Sequence, residues 1–285
     1  MSAAYCRSRW METRGENHMK HRTNLENESL PEKVCVQLAS EIEHQLLPKS
    51  SPLIDGAEIA GWTVYSGMLG GDFFDYHDFR GVCCPSTTQM HIAVGDASGH
   101  GLCSSLLMTS IRAYLRARAM QSGNLSQIVA DVNKLLCLDV GSSGHFVTVF
   151  YASIFGPERK IEWVRAGHDP ALLYNPATDV FAPLQGKGVA LGVDPHANYQ
   201  VNSRSSLPKG AIVLIGTDGL WEIDHGVGRT HCKGMIKDLV RRHRHENAVS
   251  IAEVIKRKVI ECCRGLPAED DMTLITVKFD GDSKC

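Results

Sequence analysis

The stretch QMHIAVGDASGHG at 89–101 decides how the rest of the chain is read. Ile92, Ala93 and Val94 make the segment 89–94 a short buried strand. The following loop, GDASGHG at 95–101, holds three glycines around Asp96. Gly99 and Gly101 can adopt positive φ and release the chain into a helix. That helix reads from about Leu102 to Met120, with Leu107, Ile111, Tyr114 and Leu115 on its apolar side. A strand that ends in an acidic glycine loop puts a carboxylate at the rim of a core. Desolvation disfavours its charge there unless something compensates it.

Outward from this unit, strands outnumber helices and the helices come in pairs. Asn124 and Gln127 open a second helix with Ile128, Val129, Val132, Leu135 and Leu136 inward. The segment from Gly56 to Phe79 reads as strands broken by glycines. Further strands read at 145–155, 160–165, 171–174, 211–216 and 272–279, with two helices near 232–243 and 248–263. Gly156-Pro157 and Asn175-Pro176 mark turns. No regular alternation of strand and helix runs the length of the chain, so antiparallel sheets covered by helices are expected rather than a doubly wound sheet. Residues 1–28 read as a flexible polar tail. An amphipathic helix is expected within 29–48, opened by Ser29, Pro31 and Glu32, striped by Val34, Leu38, Ile42 and Leu46, and ended by Pro48. Two readings of its 31–47 stretch stay open: packing on the core, or pairing with a regulator or a second copy.

Composition removes several classes of function. The 285 residues carry 43% apolar and 22% charged side chains, enough to bury a sizeable core. Thirty basic residues against 32 acidic give a net charge of -2, without the basic excess of a dedicated nucleic-acid binder. No apolar run is long enough for a membrane span, and no apolar stretch follows the N-terminal basic residues. The ten cysteines include the adjacent pairs Cys83-Cys84 and Cys262-Cys263 and form no CxxC. A reduced, cytoplasmic protein is expected.

The positions of the aspartates carry the chemistry. Asp72 and Asp75 lie in GGDFFD at 70–75, and Asp96 follows the strand HIAV by one glycine. Asp218 follows AIVLIG by one threonine, and Asp270 and Asp271 precede MTLITVKF. Each stands at a strand end, where a lone aspartate is an ordinary turn or cap residue. Together in one cleft they need a cation. All-oxygen ligands select Mg2+ or Mn2+ over zinc. Four carboxylates and two such ions sum to zero formal charge, a site that accepts a phosphate dianion.

These stretches also resemble a known family. EIEHQLLP at 41–48, GGDFFD at 70–75, GDASGHG at 95–101, FVTVFYA at 146–152, RAGHDPALL at 165–173, ALG at 190–192, GTDGLWE at 216–222 and EDDMTLITVKF at 269–279 occur in order. The chain is similar over roughly 41–279 to PPM-type (PP2C-like) serine/threonine protein phosphatases of the bacterial RsbU/SpoIIE class. The resemblance implies an α+β fold, a four-layer α-β-β-α sandwich of two antiparallel sheets flanked by helices, spanning 49–280. It implies two Mn2+ or Mg2+ ions held by Asp72, Asp96, the backbone carbonyl of Ala97, Asp218 and Asp270. Asp271 is a neighbour or alternate ligand, and Asp75 a supporting residue. His100 is a candidate general acid or a structural loop histidine, and His168 shapes a turn near the site. The implied substrate is a phosphorylated protein of the anti-sigma-factor-antagonist kind.

Some features depart from the relatives. No arginine lies just upstream of Asp72 where eukaryotic relatives bind phosphate, and the nearest later one is Arg80. YSGML at 65–69 replaces the usual residues before GGDFFD. No sensor domain is expected before the catalytic one, so control is expected from a separate protein, from self-association, or not at all. Arg229, Lys233, Lys237, Arg241, Arg242 and Arg244 make 229–245 basic, either a solvated helix face or a docking face for an acidic partner. Two alternatives to a protein phosphatase stay open: a phosphatase-like binding module without turnover, and a metal hydrolase of small phosphate esters.

Overall fold

The computed structural model describes residues 32–77, 88–224, 229–263 and 268–280. The expected tail at 1–28, the helix cap at Ser29 and Pro31, Arg80 and the Cys83-Cys84 pair lie outside the described residues. The chain divides into two units, Met1–Leu38 and Ala39–Cys285. Every element after the first helix belongs to the second unit.

In order, the elements are α1 (Glu32–Leu46), β1 (Leu53–Ile54), β2 (Ala57–Val64), β3 (Asp72–His77), β4 (Gln89–Ala97), α2 (Leu102–Ala119), α3 (Leu125–Val140), β5 (Val147–Phe155), β6 (Lys160–Ala166), β7 (Ala171–Asn175), β8 (Val180–Leu184), β9 (Asn202–Arg204), β10 (Ile212–Gly216), α4 (Asp218–Trp221), β11 (Glu222–Asp224), β12 (Arg229–His231), α5 (Lys233–His243), α6 (Ala248–Cys262) and β13 (Met272–Phe279). One sheet runs β1-β2-β13-β10-β7-β8 and the other β3-β4-β5-β6-β9, with β11-β12 a separate hairpin. The strand ladders of both sheets are antiparallel.

Strand alternation sorts the core into layers. Phe74, Tyr76, Ile92, Val94 and Phe150 of one sheet meet Ile59, Val213, Ile215, Ile275 and Val277 of the other. Their neighbours Phe73, Ala93, Val149 and Tyr151 point the opposite way, onto Met108, Ile111 and Leu115 of α2 and Ile128, Val129 and Val132 of α3. On the far side, Trp62, Leu214 and Leu274 pack on Ile236 and Val240 of α5 and Ile251 and Ile255 of α6. The result is the four-layer α-β-β-α sandwich. Helices cover both sheets, so β13 is buried at all eight positions, including the polar Thr273, Thr276 and Lys278.

Helix α3 opens on the expected capping box, with Asn124 and Gln127 each bonding the other's backbone N–H. Two helix faces differ from the sequence reading. In α2 the buried stripe is Ser104, Met108, Ile111, Arg112, Leu115 and Ala119, with Leu107 and Tyr114 only half-buried at its margin. In α3 Leu135 is exposed and Leu136 is buried. Both errors come from treating every apolar side chain as core, although a 3.6-residue period admits only one face. In α1 Ile42 is exposed while Glu43 is buried, so a polar residue, not the apolar stripe, turns inward there. No helix among the described residues is long and apolar enough to cross a membrane.

Candidate active site

Strand β4 does not end before the glycine loop. It continues to Ala97, and Asp96 is inside the ladder, opposite Asp72 of β3 on one side and Thr148 of β5 on the other. The backbone ladder does not require apolar side chains, and two neighbouring strands extend it past Val94. Facing Asp72 and Asp96 are therefore carried by rigid backbone. Asp72 is buried. Burial, and next the Asp96 charge, hold its carboxyl well above the usual carboxylate range, against the hydrogen bond from Thr217. Asp96 is pushed up to about 7 by burial and then by the charges of Asp218, Asp270 and Asp271.

Asp218 sits in the first turn of the short helix α4 behind Thr217 at the N-cap. Its Oδ1 accepts the Gly219 N–H at 2.9 Å, and Asp270 Oδ1 accepts the Asp271 N–H at 2.8 Å. Asp271 is engaged differently. Its Oδ1 accepts from the Ser66 N–H (2.8 Å) and hydroxyl (3.0 Å), and its Oδ2 accepts from the Gly71 N–H (2.9 Å). The Gly71 carbonyl in turn accepts the Ala97 N–H at 3.1 Å. A Cβ at position 71 would stand 2.6 Å from the Ala97 carbonyl oxygen, and one at position 70 would stand 2.3 Å from Asp271 Oδ2. The glycine pair is thus required for the approach of the β2–β3 loop to the carboxylates.

Oxygen donors whose ionised forms are disfavoured by burial and by each other match a hard divalent cation in charge and type. Among the described residues, no ion pair reaches Asp72 or Asp96. Also among the described residues, no three His, Cys, Asp or Glu side chains converge as a ready ligand group. The residue set fits a hard divalent metal in donor type and charge.

Asp75 is not at this cleft. Three residues from Asp72 on an extended strand, it faces the helix layer. Arg116 binds it through Nε (2.5 Å) and Nη2 (2.6 Å), Arg112 Nε lies at 3.1 Å and His77 Nε2 at 3.4 Å. Burial works to raise its pKa, but the hydrogen bonds from Arg116 and His77 outweigh burial and hold it below the ordinary value. Tyr151 OH links His77 Nδ1 (3.1 Å) and His91 Nδ1 (3.0 Å) into the same buried network.

His100 is exposed between Gly99 and Gly101, whose φ values are +95° and +69°, and makes no hydrogen bond to Asp96. His168 is buried, with Nδ1 2.9 Å from the hydroxyl of Thr148, the residue opposite Asp96. Burial lowers it to about 4, so it is a neutral packing partner behind the site. In the basic segment, Lys233 pairs with Asp169 (3.2 Å) and Arg241 with Asp179 and Asp238 (3.0 Å each). Those two cations are engaged within the fold.

Two residues near the carboxylates escaped the sequence reading. Glu43 of α1 accepts the Gly70 N–H at 3.1 Å and the Ser105 hydroxyl. Burial and then Glu43 raise the neighbouring Tyr65 phenol, whose OH also lies 3.3 Å from the Asp72 carbonyl. Thr217 donates to Asp72 Oδ2 at 2.7 Å. The signals were present, a carboxylate one turn before LLP and a threonine before Asp218, but neither carries a period that marks it.

A sandwich of this topology with acidic residues at one edge of its sheets defines a class, the PP2C-like phosphatases. Residues 86–280 match the model of the family Stage II sporulation protein E (SpoIIE). The chain belongs to the SpoIIE family, of PPM-type serine/threonine phosphatases. Among proteins it is similar to is phosphoserine phosphatase RsbU of Bacillus subtilis (strain 168), 24% identical over 243 residues that cover 85% of this chain and 69% of RsbU. Its fold is shared with the SiaA-PP2C domain of Pseudomonas aeruginosa (TM-score 0.71, 20% identity, 87% of this chain and 97% of that one). It is shared as well with the RsbU and RsbW domains of Rv1364c from Mycobacterium tuberculosis (TM-score 0.65, 22% identity, 82% of this chain). The chain spans 63% of that last protein's resolved length.

Proposed function

We propose that this phosphatase hydrolyses phosphoserine or phosphothreonine in a signalling protein, with two Mn2+ or Mg2+ ions held by Asp72, Asp96, Asp218, Asp270 and the Ala97 carbonyl. The observation that carries the reading is the cross-strand pair Asp72 and Asp96, both held above the ordinary carboxylate range by burial and like charge. Bound divalent ions would lower the pKa of a water and neutralise the phosphoryl oxygens in a direct displacement. The chain's own part is to hold its carboxylates on β3, β4 and α4 so that little reorganisation accompanies the reaction. In this reading Asp271, whose two oxygens already accept three donors, anchors the 66–71 loop and is not a ligand. Asp75 belongs to the helix layer.

The substrate class rests on the family and on the name of RsbU, a phosphoserine phosphatase. A phosphorylated protein of the anti-sigma-factor-antagonist kind is the partner that the resemblance supports. Regulation through the 31–47 stretch draws support from Glu43, since a carboxylate on α1 bonds Gly70, two residues from Asp72.

The test is hydrolysis of a phosphoserine peptide and of an aryl phosphate, each before and after chelation and after return of Mn2+ or Mg2+. Hydrolysis of the peptide that chelation abolishes and either ion restores, with Zn2+ restoring it poorly, is the expected result. Undiminished activity in protein shown to be metal-free would overturn the mechanism. Turnover of the aryl phosphate alone would favour a small-ester hydrolase.

A further inference from the structure

The carboxylate of Asp72 is held from the opposite sheet by the hydroxyl of Thr217. Thr217 Oγ1 donates to Asp72 Oδ2 at 2.7 Å and accepts the backbone N–H of Thr273 at 3.0 Å. A hydroxyl has a single proton. With a main-chain N–H already pointed at the Thr217 oxygen, that proton is committed to Asp72. The Thr273 hydroxyl lies 2.9 Å from the hydroxyl of Thr63, directly across the β2–β13 ladder. Thr217 and Thr273 are buried, so water does not compete for these bonds.

The geometry differs from a turn threonine satisfying its own backbone. Thr217 is the N-cap of α4, yet its side chain makes no capping bond within that helix. It reaches instead across the sandwich to β3, while the next residue, Asp218, begins the turn that carries a second carboxylate. Thr217 therefore bonds one carboxylate and immediately precedes another.

We propose that Thr217 is a positioning residue. It fixes the rotamer of Asp72 and occupies one of its lone pairs, so that the lone pairs left over point in one direction. This rests on Asp72 being a metal ligand. A supporting bond to a ligating carboxylate orients it, and losing such a partner typically lowers metal affinity ~10–100-fold.

The experiment compares wild type with Thr217→Val, which keeps the shape and removes the hydroxyl, and Thr217→Ser, which keeps the hydroxyl. Mn2+ affinity is read by calorimetry, melting temperature on the chelated proteins, and kcat at saturating Mn2+. The expected outcome is a loss of Mn2+ affinity of at least ~10-fold in Thr217→Val, most of it restored in Thr217→Ser, with kcat at saturating Mn2+ falling less than the affinity. Should Thr217→Val not fold, Thr217→Cys, of similar size and with only a weak donor, carries the same expectation. Unchanged Mn2+ affinity in the valine or cysteine variant, even with a lowered melting temperature, overturns the proposal and leaves the metal site standing. Wild-type protein that binds no Mn2+ overturns the metal reading, and this inference with it.

Discussion

Two aspartates three residues apart on β3 have met opposite fates. Asp72 and Asp75 are both buried, and burial acts to raise both. Asp72, on the inter-sheet face, has Asp96 and Asp271 as charged neighbours and is raised. Asp75, on the helix face, has Arg112, Arg116 and His77 and is lowered. Burial alone therefore does not assign a role to a carboxylate; the sign of the surrounding charge does. The helix face spends its ionic groups on holding α2 to the sheet. The cleft face instead gathers carboxylates around Asp72 and Asp96, and among the described residues no ion pair reaches those two, an arrangement whose charge a cation would balance.

The largest effect is expected from substituting each member of the pair and comparing. Asp75→Asn leaves the buried Arg112, and Arg116 with 46% of its side chain exposed, around a neutral amide, which costs about 3 kcal/mol of stability, the low end for a broken buried pair. Asp72→Asn removes one of two repelling carboxylates, so the metal-free protein should be no less stable than its parent. Turnover should nevertheless fall by at least ~10²-fold with the loss of a strong electrostatic contributor. Urea unfolding of both chelated variants, with kinetics under Mn2+, checks the pair. Equal losses of stability would end the distinction between the faces.

An effect of at most similar size is expected from pH, with opposite signs on the two faces of β4. His91, on the helix side, is lowered to about 4 by burial and then by His77. Unfolded, it takes up a proton near its ordinary value of 6.5, so the stability it contributes is present above that value and is lost as pH falls toward 4. Asp96, on the cleft side, is raised to about 7. Its unfolded form ionises near 3.8, so its contribution is present below that value and is lost as pH rises to about 7. The two slopes oppose each other between about pH 4 and 6.5. In Asp96→Asn the cleft contribution is gone, and acidification across this window should cost the chelated variant up to about 3 kcal/mol more than its parent, at about 1.4 kcal/mol per pH unit for one proton. Parallel stability profiles for the two proteins would break the assignment.

These contrasts also show what was legible in the sequence. Antiparallel sheets covered by helices were readable because long strands and helices carry clear periods, whereas the four-layer sandwich followed from the family resemblance; the pair Asn124 and Gln127 marks its helix start without any tertiary information. The aspartates at strand ends stood out against apolar text, although their service as metal ligands remains a proposal. Asp75 shares a motif with Asp72, and its separation from the cleft depends on the two-residue period and on arginines supplied by a distant helix. Strand β9 and the β11-β12 hairpin were missed because three residue pairs of ladder leave little pattern, and β8 because its five residues are mostly exposed or half-buried and include Pro183. Glu43 and Thr217 look like a solvent-facing helix residue and a turn residue until the fold folds a second element over them.

The smallest effect is expected at the one cleft-side candidate that is not carried by a strand. His100 is exposed between two positive-φ glycines and is held by no hydrogen bond to Asp96. A general acid must reach the leaving oxygen within hydrogen-bond distance and typically contributes ~10²–10⁴-fold. A side chain on a glycine-flanked loop, with nothing to fix its rotamer, is poorly placed for that, whereas Asp72 is fixed by its ladder and by Thr217. His100→Ala should therefore leave stability within about 0.5 kcal/mol and lower kcat by less than ~10², the lower bound of a general acid's contribution. The acidic and basic limbs of its pH–rate profile should be those of the parent. A loss of ~10² or more together with the disappearance of one limb would make His100 the acid, and would show that substrate binding orders the loop enough to outweigh its freedom in the structure described above.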